Sequence, residues 1–125
     1  MAYNVLVVDD SAVVRAVIAR TLGLSDVDVG QIHQAANGRE ALDVLEREWI
    51  DIVFADINMP EMNGIELVDR MHESEILKTI PVVVVSTERS TTRIRQLRAK
   101  GVSAYLNKPF TPEGLREAME GILGR

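Results

Sequence analysis

Asp9, Asp10, Asp56, Ser86 and Lys108 are the residues on which chemistry could rest. Brought together, the three carboxylates would repel one another. Two like charges ~4 Å apart cost about 4 kcal/mol at an effective dielectric of about 20. Lys108 supplies one offsetting charge. A hard divalent ion supplies more, and an all-oxygen acidic site suits Mg²⁺. A carboxylate held against such cations can attack phosphorus. The metal and the lysine would neutralise charge building on the transferred group. The Ser86 hydroxyl and backbone N–H groups in nearby loops could donate hydrogen bonds to its oxygens.

Each residue also has a plain reading. Asp9 and Asp10 could cap the helix that follows them. Asp56 could be a solvated strand-end acid, and Lys108 an ordinary surface lysine. Ser86 could be a turn or capping residue. The joint pattern is harder to produce by accident: acids after the first and third strands, a hydroxyl after the fourth, a lysine after the fifth.

That pattern depends on the elements that carry it. Val5–Val8, Ile52–Ala55 and Val82–Val85 are short, continuous, mostly β-branched runs, the signature of strands covered on both faces. Gln31–Ala36 and Ser103–Leu106 are weaker strand candidates. Helical spacing of apolar residues fills the gaps, over Ala12–Leu24, Arg39–Glu48 and Gly64–Glu73. Ser90 can cap a fourth helix running to Lys100, with Gly101 as its stop signal. Thr111 can cap a fifth, with Pro112 at its first position. Five strand–helix repeats predict an α/β protein with a parallel sheet between two helical layers. In such a sheet ligands bind beyond the carboxyl ends of the strands, where these five residues would meet.

Composition narrows the options. A chain of 125 residues fits one domain. The absence of cysteine excludes disulfides and thiol chemistry. The N-terminus is no secretory signal, and no apolar run approaches a membrane span. A soluble cytoplasmic protein, without membrane or nucleic-acid partners, is the expectation, the latter because net charge −5 disfavours a polyanion. His33 and His72 join no acidic group, so structural or surface roles are expected for both. Trp49, near the end of the second helix, is expected to serve packing.

The stretches VLVVDDS, AANGREAL, DIVFADINMPEMNGIEL, VVVVST and AYLNKPF cover essentially the whole chain. In them the sequence resembles the receiver domain of two-component response regulators, and its organisation is similar to the stand-alone CheY-like chemotaxis type. The resemblance implies a single domain over residues 1–125. Its fold would be a doubly wound (βα)5 sheet of the flavodoxin/CheY-like kind, strand order 2-1-3-4-5, with no output domain following. Asp56 takes the position of the phosphorylated aspartate, in a site completed by Lys108 and Ser86. Asp9, Asp10, Asp56 and the Asn58 carbonyl take the positions that hold Mg²⁺. Ser86 and Tyr105 match the hydroxyl and aromatic switch positions. Pro109 implies a cis bond after Lys108.

Such a domain receives phosphate from a histidine kinase and hydrolyses it slowly itself. It is a signalling switch rather than an enzyme with a released product. Two residues are notable against the resemblance: Thr87 is bulkier than the small residue common there, and Ile57 stands where the best-known CheY-like member has a tryptophan. The resemblance also places output on the fourth-helix face. Arg93, Arg95, Arg98 and Lys100 crowd that helix, and an acidic partner, such as a flagellar motor switch protein, is the expectation.

Three other functions are open to this sequence. A phosphorelay intermediate or kinase-regulating receiver would share every motif. A Mg²⁺-dependent phosphohydrolase would want an acid two residues after Asp56, where Asn58 stands. A flavodoxin-like cofactor binder would want a hydroxyl-rich loop after the first strand, where the acids stand.

Overall fold

A computed structural model describes residues 2–25, 27–57, 62–86, 91–108 and 111–123. The strands are β1 (Tyr3–Val8), β2 (Val29–Ala35), β3 (Ile52–Ala55), β4 (Val82–Ser86) and β5 (Ala104–Asn107). The helices are α1 (Ala12–Leu24), α2 (Gly38–Arg47), α3 (Gly64–His72), α4 (Thr91–Ala99) and α5 (Pro112–Leu123). All strand pairs are parallel, in the order β2-β1-β3-β4-β5.

Alternation along the central strands splits the core into two layers. Leu6, Val8, Val53, Ala55, Val82 and Val84 face α2, α3 and α4, where they meet Ala41, Leu67, Met71 and Leu97. Val5, Val7, Ile52, Phe54, Val83 and Val85 face α1 and α5, where they meet Ile18, Leu22, Leu115 and Met119. Both faces are therefore dry, which explains why these strands read as unbroken apolar runs. β2 begins two residues earlier than its sequence signal. It is an edge strand with Gly30, Gln31 and Gln34 exposed, so little burial marks its start.

Helix starts are chemically defined. The Ser11 hydroxyl accepts from the Val14 N–H at 3.2 Å, so the serine caps α1 and frees Asp9 and Asp10 from that duty. Asn37 caps α2. Asn63 and Glu66 form a reciprocal capping box at α3. Thr111 accepts from the Gly114 N–H at 3.0 Å, with Pro112 opening α5 as its sequence signals predict. Gly101, at φ +95, ends the α4 segment in the left-handed region.

Trp49 corrects an expectation: it is 77% exposed rather than packed. A short 3-10 turn, Leu77–Thr79, also precedes β4 without an evident sequence signal.

Candidate functional site

Strand register determines which side chains meet. Val8 pairs with Ala55 across β1 and β3, so Asp9 and Asp56 leave the sheet at the same level. Backbone bonds hold both in place: the Asp56 N–H donates to the Val8 carbonyl at 3.0 Å and the Asp9 N–H to the Ala35 carbonyl at 3.1 Å. Ser86 pairs with Asn107, and the Lys108 N–H donates to the Ser86 carbonyl at 3.0 Å. Lys108 thus enters from β5 at the same sheet edge.

Oxygens of Asp9, Asp10 and Asp56 all lie within 4.8 Å of one another. Asp9 is buried, Asp10 exposed and Asp56 between the two. The Lys108 ammonium stands 3.1 Å from Asp9 Oδ2 and 3.5 Å from Asp56 Oδ2, with its side chain only 20% exposed. Asp9 also accepts from the Ser11 N–H at 2.9 Å through Oδ1, which directs its other oxygen toward the lysine. Ser86 is fully buried at the end of β4, and Tyr105 is half-buried on β5 against the α2–α3 core layer.

Asp9, Asp10, Asp56 and Lys108 are therefore brought together, with Ser86 on the same edge. Three carboxylates of graded exposure fit a hard divalent cation: oxygen donors converge, and one side of the cluster opens to solvent. Asn58, Thr87 and Pro109 lie outside the described residues, as do Arg89 and Ser90. His33 and His72 stay apart from the cluster; His33 Nε2 is 3.9 Å from Glu48, and the His72 ring lies against Gly101.

Two positioning residues escaped the sequence reading. Arg15, on α1, donates from Nη1 to the Asp9 carbonyl at 2.6 Å and from Nε to Gln34 Oε1 at 3.1 Å, tying α1, β2 and the acidic end of β1 together. Nothing in its spacing distinguishes it from other helix arginines. Gly64 opens α3 against the Asp56 carbonyl, and its N–H donates to the Ile57 carbonyl at 2.9 Å. Its place just after the Asp56 loop was the available signal.

On the fourth helix, Arg95 and Arg98 are exposed. Lys100, just beyond it, is already committed: its ammonium binds both oxygens of Asp69 on α3, at 3.0 and 3.2 Å. The Arg93 side chain lies outside the described residues.

Residues 5–120 match the family described as the response regulator receiver domain. The chain is 38% identical over 122 residues to a chemotaxis protein CheY homolog of Campylobacter jejuni, covering 97% of this chain and 92% of that one. It is 43% identical over 121 residues to the two-component response regulator ORR3 of Oryza sativa, covering 96% and 90%. Among solved structures, chemotaxis protein CheY4 of Vibrio cholerae superposes with a TM-score of 0.87 at 32% identity, covering 98% of this chain and 99% of that one.

Proposed function

The chain belongs to the response regulator receiver family, and we propose that it acts there as a single-domain switch driven by phosphorylation of Asp56. One observation carries this reading: the Lys108 ammonium stands between Asp9 and Asp56 inside a cluster of three acids. Such an arrangement aims a carboxylate and sets it next to a cation suited to phosphoryl oxygens.

In the proposed reaction an Asp56 oxygen attacks the phosphorus of a phosphohistidine on a partner kinase. The new P–O bond forms as the P–N bond breaks, and the electron pair leaves with the histidine nitrogen. Water later attacks the acyl phosphate, releasing inorganic phosphate and restoring the carboxylate. Lys108 pairs with the transferred group, and Ser86 donates its hydroxyl to a phosphoryl oxygen. Asp9, Asp10, Asp56 and the Asn58 carbonyl would hold Mg²⁺, which supplies positive charge at the phosphoryl oxygens. Inward movement of Ser86 is matched by rotation of Tyr105, shifting the population toward a form with a different binding face.

Arg95 and Arg98, exposed on α4, would carry that face and meet an acidic surface on the target, while Lys100 is held by Asp69. Likeness to proteins named for chemotaxis supports a chemotaxis role, with a flagellar motor switch protein as target. The rice relative, named only as a two-component response regulator, supports a second reading as a relay or kinase-regulating receiver. Turnover of a metabolite is no part of either.

Incubation with acetyl phosphate and Mg²⁺ should label the chain, and Asp56→Asn should abolish labelling. Persistent stoichiometric labelling of the Asp56→Asn protein would move the acceptor elsewhere.

A further inference from the structure

At the far end of the sheet from the acidic cluster, large apolar side chains stand in solvent. Trp49 is 77% exposed and Ile76 is 75% exposed. They share the walls of two adjoining grooves. One, of about 590 Å³, runs between α2 and α3. The other, of about 270 Å³, continues toward Ile50 and Pro81, where β3 and β4 begin. Leu45, Glu48, Trp49, Ile76 and Leu77 line both, so the two form one cleft with an apolar floor.

The aromatic ring in this cleft is held rather than loose. Trp49 Nε1 donates to Asp51 Oδ1 at 2.9 Å, and the other Asp51 oxygen accepts from the Asn4 N–H at 2.8 Å. An exposed aromatic fixed in orientation loses little entropy on binding, and tryptophan is the residue type most enriched at binding hot spots. Charge around the cleft is one-sided. Glu46, Glu48, Asp51 and Glu73 line it against Arg47 and Arg70, four negative charges to two positive, an excess of −2. Among the described residues, neither Glu46 nor Glu73 has an ion-pair partner.

We propose that this cleft docks a short, basic, amphipathic segment of a partner protein. A large apolar side chain would seat between Trp49 and Ile76, with a Lys or Arg beside Glu46 and Glu73. The strands are parallel, so their starts lie at this edge and their ends at the acidic one. Asp51 and Asp56 are separated by β3, roughly 16 Å at ~3.3 Å per residue. A segment held here leaves both the acid cluster and the Arg95–Arg98 face open. It therefore tethers the switch without competing with phosphorylation or output.

The test is to pan random displayed 12-residue peptides on the full chain, with counter-selection on Ile76→Glu and on Trp49→Ala. Enriched peptides should place a large apolar residue within one helical turn of Lys or Arg. Because Trp49 is the single tryptophan, its emission reports binding directly and should shift to the blue. Affinity should fall at least about tenfold in Ile76→Glu, and several-fold in the Glu46→Gln/Glu73→Gln double variant. Ile76→Ser, a milder change, should also weaken binding. Acetyl phosphate labelling should be unchanged in all of these variants, which separates a lost cleft from a lost fold. Three results overturn the proposal: no enrichment over Ile76→Glu, enriched peptides that are acidic or uncharged, or a blue shift that grows with protein concentration alone. The last assigns the cleft to a second copy of the chain.

Discussion

Replacing Lys108 by Met tests whether the lysine holds the acidic cluster together. Carboxylate oxygens within 4.8 Å of one another repel by at least about 3.5 kcal/mol per pair at an effective dielectric of about 20, so the three pairs sum to about 10 or more. Lys108, at 3.1 and 3.5 Å from Asp9 and Asp56, returns about 5 kcal/mol with each, again about 10. The two gross terms nearly cancel. Removing the lysine leaves the repulsion uncompensated, but Asp10 is exposed and can swing into water. A net loss of about 3 kcal/mol is expected, the low end for breaking a buried pair, or about 10 °C in Tm. Magnesium should partly replace the lost charge. With a competing cation gone, the variant should bind Mg²⁺ about tenfold more tightly, a difference of about 1.4 kcal/mol. At 100 times the variant's Kd, Mg²⁺ stabilises it by about 2.7 kcal/mol and the parent by about 1.4, so the gap narrows to below about 2 kcal/mol. Chemical denaturation with and without Mg²⁺ measures both quantities. Adding Asp9→Asn to the variant should restore at least about 1 kcal/mol in metal-free buffer and blunt the Mg²⁺ response. A Lys108→Met protein within about 0.5 kcal/mol of the parent without metal, or a gap that Mg²⁺ does not change, refutes the reasoning.

Gly64→Ala would drive a Cβ onto the Asp56 carbonyl and to 3.1 Å from the Ile57 Cα. It should cost about 2 kcal/mol by denaturation and slow acetyl phosphate labelling; a normal labelling rate would show that the acceptor tolerates the shift. Gly101→Ala combines φ +95 with the His72 ring, and a loss of about 1–2 kcal/mol is expected. Adding His72→Ala should recover only the steric part, and full recovery would mean that the backbone conformation costs nothing. Arg95→Glu/Arg98→Glu should leave labelling intact and weaken binding of the phosphorylated chain to its output target, measured by calorimetry at low salt. Equal affinity would remove α4 from the output face.

The sheet and its acidic edge were legible in the sequence because burial on both faces leaves a strong mark. β1, β3 and β4 are continuous apolar runs, and an aspartate at the end of such a run is conspicuous. Residues that interact only after helices dock left no such mark. The start of β2 was obscured because an edge strand buries little. Lys100 reads as one more cation on a basic helix, yet its partner Asp69 is 31 residues away, and only the placement of α3 beside α4 selects it. Arg15 and Gly64 are likewise ordinary until α1 and α3 bring them against the backbone of Asp9 and Asp56.

Sequence alone thus determined which strands form and which chemical groups lie at their ends, since both follow from local period and residue type. Tertiary structure decided which charges are paired and that Trp49 stands in solvent instead of packing. Those outcomes depend on distances across elements, and spacing along one chain does not encode them.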